Sequence, residues 1–353
     1  MILVEDWSSQ RVADVLGSME SRRKFACSWA KPNIKESSWL MTVAFCWDGL
    51  EVAKEQGWID TDGLNDDDLL DQFCAGYRTM VATYDAAWIV PGKVLVSADP
   101  VTTLHDPNPE TFVEIFASKD KTETDELLAD DLSPVSTAST EHERVQFEID
   151  LWSPTSHGQM SQTSVITVNK DYVQNSLWMV VPSSATNKSS PYSTFLRDCG
   201  VSLVIRANFV DEPGMPRPSY DAAKWKEFDI DHENIQFEDK SGGLPTASSV
   251  ASLLEADMSN GDRGSVLIHC KGGFGRSIVL SCCLIIYNYN VPGSALLGWC
   301  RIARPGAITT RQQELFLLSM HGRADVLKFT GKLRKKDAAA IDGTRVSCGC
   351  AVQ

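Results

Sequence analysis

The sequence predicts an α/β fold, a mostly parallel central sheet flanked by helices, with an α/β amino-terminal domain ahead of it. Three observations lead there. From residue 201 onward short β-branched runs alternate with longer stretches of helical periodicity, and strands separated by helices pair in parallel. One such run, Val266-Leu267-Ile268, passes through a glycine-rich loop straight into an apolar helix, the order that puts sites at the carboxyl ends of strands. The chain of 353 residues, 43% hydrophobic, is long enough to bury a sizeable core in one large or two smaller domains.

Residues 1–86 form the first block. It holds an apolar run from Leu40 to Trp47 and helical patterns from Gly49 to Gln56 and from Asp66 to Tyr84. Asp66, Asp67 and Asp68 complement the positive end of the last helix. Trp88 to Val96 reads as a turn feeding a strand. Residues 87–330 form the main domain, interrupted at about 118–190 by an insertion rich in Ser, Thr, Asp and Asn. Its alternating pieces, Val145 to Leu151 and Val165 to Val168, suit a β-hairpin, and Ser133-Pro134 and Ser153-Pro154 are turn signals that kinases could also use. Val201 to Ile205 and Trp225 to Ile230 then read as strands, Pro245 to Met258 as a helix and Ser265 to His269 as a strand. Helices follow from Ser277, Ser294 and Thr310. Residues 331–353 form a basic, flexible tail.

The formal charge of −14 excludes a nucleic-acid binder, which needs a clustered basic surface to neutralise phosphates, and suits a basic peptide better. Ten cysteines follow an opening, Met1 to Asp6, without a charged-then-apolar leader pattern, so reducing, cytoplasmic surroundings are expected rather than a disulfide framework. No Cys-x-x-Cys pair occurs, and adjacent Cys282 and Cys283 fall on different faces of a helix, which argues against structural zinc. The apolar stretch Ile278 to Tyr287 is too short to span a bilayer and reads as a buried helix.

The chemistry sits in His269-Cys270-Lys271-Gly272-Gly273-Phe274-Gly275-Arg276-Ser277. Its three glycines let successive backbone N–H groups point inward, and the helix beginning near Ser277 adds its positive end. The bowl made by Lys271, Gly272, Gly273, Phe274, Gly275 and Arg276 would hold an anion, phosphate above all. The same donors stabilise a thiolate, which makes Cys270 the nucleophile. Arg276 offers a planar fork to two phosphate oxygens and grips hardest in the charge-spread transition state. His269 orients the loop by hydrogen bonding, and Ser277 donates to the sulfur as it leaves a phosphocysteine. No metal or organic cofactor is required. A lone cysteine at a strand end is ordinarily an inert buried thiol; His-Cys, five residues, then Arg-Ser between strand and helix is far more specific.

Phosphoryl transfer to a thiolate also needs an acid for the departing oxygen and a group that positions water afterwards. Asp239, in the polar loop Gln236 to Gly243, is the candidate acid, with Glu238, Asp229 and Asp231 as rivals. In the turn and helix from Arg304 to Gln313, Gln312 is the candidate for orienting water, although glutamine on a helix ordinarily faces solvent.

At these residues the chain resembles the cysteine-based protein phosphatases, and within them the mitotic-exit, proline-directed dual-specificity group, the cell-division-cycle-fourteen family. The loop of that family reads His-Cys-Lys-Ala-Gly-Leu-Gly-Arg-Thr-Gly, against His269 to Ile278 here. Its acid loop, Phe-x-Asp-Gly-Ser-Thr-Pro, is similar to Phe237-Glu238-Asp239-Lys240-Ser241, with extra residues before Pro245. Its Trp-x-Arg-x-x-Arg-Pro-Gly segment and following Gln-Gln correspond to Trp299 to Gly306 and to Gln312-Gln313, and a thinner match lies at Trp88-Ile89-Val90-Pro91. The resemblance covers about residues 190–320 well, 86–117 thinly and the first block hardly at all. It implies a dual-specificity-phosphatase-like fold that hydrolyses phosphoserine, phosphothreonine and phosphotyrosine, with Asp239 as acid. In the family an amino-terminal domain helps form an acidic groove for phosphoserine-proline followed by a basic residue, so a phosphoprotein with basic residues near the phosphosite is the implied partner. Three departures are Ile278 in place of a glycine, the longer acid loop and the insertion.

The chain ends Cys348-Gly349-Cys350-Ala351-Val352-Gln353, a prenylation-like pattern on Cys350 in which Gln suggests farnesyl, with Cys348 as a palmitate candidate. Upstream Lys332, Arg334, Lys335 and Lys336 would supply the second membrane signal that one lipid needs. Two other readings stand beside a protein phosphatase. An inositol-lipid phosphatase is favoured by Lys271 and the tail but opposed by Phe274, where a second loop lysine would be wanted. A phosphate-binding scaffold without turnover would result from a misplaced Asp239.

Overall fold

A computed structural model describes residues 1–3, 5–21, 40–59, 61, 67–103, 114–117, 144–150, 163–169 and 191–332. In chain order the elements are α1 (Ser9–Ser21), α2 (Val43–Glu55), α3 (Asp67–Tyr84), β1 (Ala86–Val90), β2 (Val94–Ala98), α4 (Pro100–Thr103), β3 (Arg144–Asp150) and β4 (Thr163–Asn169). They continue with α5 (Tyr192–Asp198), β5 (Val201–Arg206), β6 (Asp231–Asn234), α6 (Ala247–Asn260), β7 (Ser265–Cys270), α7 (Arg276–Tyr289), α8 (Gly293–Ala303), α9 (Arg311–Leu318) and α10 (Arg323–Phe329).

The central sheet has the order β1-β2-β7-β5-β6, with β1 antiparallel to β2 and every other pairing parallel. Central β7 is buried along its whole length, as expected of a parallel strand covered on both faces. The period of two along a strand divides its side chains between two cores. Val266 and Ile268 join Leu203, Ile205, Val94 and Val96 under the later helices, whereas Leu267 joins Leu95, Val204 and the aromatic group of Tyr84, Tyr192, Phe195 and Trp225. Helix α7 is buried continuously from Arg276 to Ile286, which explains why it is apolar all round. Each fully buried Leu or Ile there contributes roughly 1.5–3 kcal/mol.

Three local expectations change. Trp88 to Val96 holds two strands, not one, because Gly92 takes φ 66° in the turn and Lys93 N–H closes it on the Val90 carbonyl at 3.0 Å. Ala222–Phe228 is a 3₁₀ helix where a strand was expected: the Asp221 carboxylate accepts from Ala223 N–H and starts the turn, and Trp225 fills the second core. In the first block the described regular elements before β1 are helices, α1 to α3. The Leu40 to Trp47 run enters α2, which lies against α8 with two glycines at the crossing. A Cβ on Gly49 would stand 2.5 Å from Trp299 N, and one on Gly298 would stand 1.8 Å from the Phe45 carbonyl oxygen.

The expected hairpin pieces pair antiparallel as β3 and β4, with Arg144 opposite Asn169. Asp66, the two Ser-Pro pairs, Arg334 to Lys336, and Cys348 and Cys350 lie outside the described residues. Among those described, no helix is long and apolar enough to cross a membrane.

Candidate active site

Strand β7 ends on Cys270, level with Ala98 of β2, and the chain then turns through Lys271 to Gly275 into α7. The direction of that turn is fixed from outside. The Lys271 carbonyl accepts from Asp99 N–H (3.2 Å) and Thr102 Oγ1 (2.9 Å), and those of Gly272 and Gly273 accept from Arg304 (3.5 and 2.8 Å). The Phe274 carbonyl accepts from Ile308 N–H (2.7 Å), and that of Gly275 accepts from Val279 N–H (3.0 Å) within the helix. A trans peptide places its N–H opposite its C=O, so five carbonyls held by the scaffold turn the amides of residues 272–276 toward the bowl. The Gly273 amide accordingly points at Cys270 Sγ, 3.3 Å away. Only glycine fits at 273: φ is 71°, and a Cβ would stand 2.5 Å from the Ser97 carbonyl.

Cys270 is 4% exposed, and Ser277 Oγ lies 3.3 Å from its sulfur. Arg276 is buried and carries five N–H donors. Nη1 donates to Glu212 Oε1 (2.6 Å) and to the Phe237 carbonyl (3.1 Å), while Nη2 donates to Glu212 Oε2 (2.7 Å). Among the described residues this leaves Nε–H and one Nη2–H, which share an edge and form a fork for two oxygens of an anion. Burial opposes the Arg276 charge, but Glu212, Cys270 and Asp239 outweigh it and raise its proton affinity. Burial likewise opposes ionisation of Glu212; its bonds to Arg276 and the Phe209 amide prevail and hold the carboxyl below its ordinary range.

Of the four carboxylates weighed as acid, the structure brings Asp239 to the bowl, with Oδ1 3.7 Å from Arg276 Nε. Glu238 turns outward to Lys240 at 3.3 Å, Asp231 pairs with Arg263, and Asp229 sits in the left-handed turn that ends the 3₁₀ helix. Gln312 is exposed and packs its stem against Gly242. Its neighbour Gln313 is the buried one: Oε1 accepts from Thr309 N–H at 2.9 Å and Nε2 donates to the Gly243 carbonyl at 3.4 Å. A Cβ on Gly275 would meet that same Nε2 at 3.0 Å, so Gln313 bridges the phosphate loop and the acid loop.

His269 lies beneath the loop, fully buried, with Nε2 2.5 Å from Tyr220 Oη, which also meets His232 Nε2 at 3.1 Å. Burial pushes its pKa down to about 4, against the pull of Asp99 and with that of Arg206, and leaves it neutral. The sequence reading missed Glu212, Asp99 and Gln313, and gave Arg304 no role. Residues 208–219 show no periodicity, and only proline and glycine mark them as a loop. Lys271, expected in the bowl, donates from Nζ to the Pro213 carbonyl of that loop at 2.5 Å. Ile278 is fully buried in the first core, where its side chain has a packing use.

A mostly parallel sheet whose central strand ends in a His-Cys loop closed by an arginine, with a buried helix behind it, fits the resemblance to cysteine-based phosphatases noted in the sequence. In sequence the chain is similar to the CDC14 dual-specificity phosphatases. It is 29% identical over 137 residues to human dual specificity protein phosphatase CDC14C, covering 38% of this chain and 28% of that one. It is 30% identical over 122 residues to tyrosine-protein phosphatase cdc-14 of Caenorhabditis elegans, covering 35% and 16%. The matches thus span under a third of these curated relatives. No protein-family model matches. Solved structures with a similar region include kinase associated phosphatase (20% identity, TM-score 0.31, 40% of this chain and 78% of that one). Another is PTPMT1 in complex with PI(5)P (19% identity, TM-score 0.31, 39% and 83%).

Proposed function

We propose that the chain is a protein phosphatase that hydrolyses phosphoserine, phosphothreonine or phosphotyrosine through a phosphocysteine on Cys270. The observation that carries this is the sulfur itself, which faces the Gly273 amide and the Ser277 hydroxyl at 3.3 Å beside the open edge of Arg276. In the first step the thiolate attacks phosphorus, an S–P bond forms, the ester P–O bond breaks, and Asp239 gives its proton to the departing oxygen. In the second, water attacks phosphorus, Asp239 takes its proton, and the S–P electron pair returns to sulfur while Ser277 donates to it. The amides of the bowl and the Arg276 fork hold the three equatorial oxygens throughout.

Acidic groups on the neighbouring loops, Asp211, Glu238 and Asp239, favour substrates with basic residues near the phosphosite. The inositol-lipid reading loses support because Lys271 is directed to the Pro213 carbonyl. Purified protein should release phosphate from an aryl phosphate and from phosphopeptides, with Cys270→Ser inactive. Equal rates for the two proteins would end the enzyme reading, and faster turnover of inositol phosphates than of phosphopeptides would end the protein-substrate reading. We further propose cytoplasmic residence with a farnesyl anchor at Cys350; identical membrane partition of wild type and Cys350→Ser would remove it.

A further inference from the structure

Granted the bowl as a phosphate site, we propose that Asp99 is a positioning residue that sets the aim of Arg276 through the loop carrying Glu212. Asp99 follows β2 and is fully buried. Its Oδ1 accepts from Val101 N–H at 3.0 Å. Its Oδ2 accepts from Asn208 Nδ2 at 2.9 Å and from Ser219 Oγ at 2.6 Å. Asn208 and Ser219 are the two necks of one loop, whose base is closed by Ser219 N–H on the Val210 carbonyl at 2.7 Å. A single carboxylate oxygen therefore gathers both ends of the loop.

Between the necks the loop is stiff. Pro213, Pro216 and Pro218 fix φ at three positions, and Met215 N–H closes a turn on the Glu212 carbonyl at 3.1 Å. Glu212 Oε1 also accepts from Phe209 N–H at 2.9 Å, so the side chain that occupies the end of the Arg276 fork is itself held. Asp99 touches the other side of the bowl as well, since its own N–H donates to the Lys271 carbonyl. Arg206 reaches it through one hydroxyl, since Arg206 Nη1 donates to Ser219 Oγ at 3.2 Å and Ser219 donates on to Asp99, and His269 Nδ1 stands 3.9 Å from Asp99 Oδ2. The chain of contacts runs Asp99, the necks, Glu212, Arg276, and it leaves the Nε edge as the one that meets an anion.

Asparagine at 99 would be nearly isosteric but has one acceptor oxygen. Facing the necks, its amide N–H₂ meets Ser219 Oγ, which already accepts from Arg206, and Asn208, which must turn its amide over and release the Phe209 carbonyl to accept. Facing Val101 N–H it loses that bond, so either way the anchor is broken or rebuilt. Binding of tungstate, an oxyanion that needs no turnover, measured by calorimetry on full-length wild type, Asp99→Asn, Glu212→Gln and the double variant, tests the proposal. Each single change should weaken tungstate binding about tenfold, and the double variant should bind no worse than Glu212→Gln alone. Wild-type affinity in Asp99→Asn, or losses that multiply in the double variant, would overturn it. Should Asp99→Asn not fold, Ser219→Ala removes one neck and must likewise lose affinity only when Glu212 is present. A wild type that does not bind tungstate would overturn the phosphate-site reading and the proposal with it.

Discussion

Arg304 donates from Nε to the Gly273 carbonyl at 2.8 Å while its guanidinium stacks on Phe274, 4.3 Å from the ring centre. The same group reaches Asp85 Oδ1 at 2.8 Å, so one buried side chain ties the start of β1 to the outer face of the bowl. Its work is to turn carbonyls away from the anion. Lysine keeps the charge but cannot reach Gly273, Asp85 and Phe274 together. Arg304→Lys should lower kcat/KM on an aryl phosphate by about ten- to a hundredfold, because misaligned amides weaken transition-state binding. Unchanged kinetics in a folded Arg304→Lys protein would mean that the bowl holds its shape unaided.

Asp239 stands at the rim, 3.7 Å from Arg276 Nε and largely in solvent, where it can exchange protons with bulk water. General acid catalysis matters most when the leaving oxygen is basic. Asp239→Asn should therefore cut kcat by about a hundredfold on a phosphoserine peptide, and by much less on a nitrophenyl phosphate, whose leaving group departs as a stable anion. Equal losses on the two substrates would assign Asp239 to binding instead of proton transfer.

The legible parts of the site were those in which one local stretch carries both the residues and their geometry. His269 to Ser277 joins a β-branched strand to an apolar helix, and the glycines within it permit the bowl whose carbonyls the surrounding scaffold then holds. Asp239 could be named because it lies in a polar loop between two recognisable elements. Glu212 and Asp99 were not legible: their loops come together beside the bowl only because β5 and β2 flank β7, a relation of strand order that no local pattern encodes. Gln312 was preferred to Gln313 for the same reason, since which of two adjacent helical residues faces inward depends on how α9 docks. Trp225 to Ile230 looked like a strand because aromatic and branched residues suit both a sheet and a buried turn.

Two neutral histidines share the Tyr220 hydroxyl, and their protonation should be visible in stability. Burial pushes His269 down to about 4, and burial with the neighbouring His269 and Arg206 pushes His232 down to about 3. In the unfolded chain each binds a proton near pH 6.5, so between that pH and the folded value the unfolded state holds more protons. Stability should therefore fall as pH drops from 6.5, by about 1.4 kcal/mol per pH unit for each group, and stop falling below the folded value. His232→Gln, which can still bond Tyr220, should show a shallower decline of melting temperature between pH 7 and 5 than wild type. Parallel curves would show that His232 does not titrate in this way.

Helix α2 is held against α8 where the two helix backbones touch. At Gly298 a Cβ would stand 1.8 Å from the Phe45 carbonyl oxygen and 2.5 Å from Cys46 N, so alanine cannot enter without moving α2 away from α8. Alanine is the better helix former by about 1 kcal/mol, which alone would favour the change. Separating the helices opens the packing around Met41, Ala53 and Trp58, all part of the main core, and overpacking of this kind typically costs about 1–3 kcal/mol. Gly298→Ala should therefore lower the melting temperature and speed proteolysis within residues 40–59, whereas a change at an exposed position of the same helix, such as Ile302→Ala, should not. The carbonyls of the catalytic loop are held by Asp99, Thr102, Arg304 and Ile308, none of them on α2, so kcat/KM on a small aryl phosphate should fall less than stability does. A Gly298→Ala protein as stable as wild type would show that α2 does not approach α8 this closely.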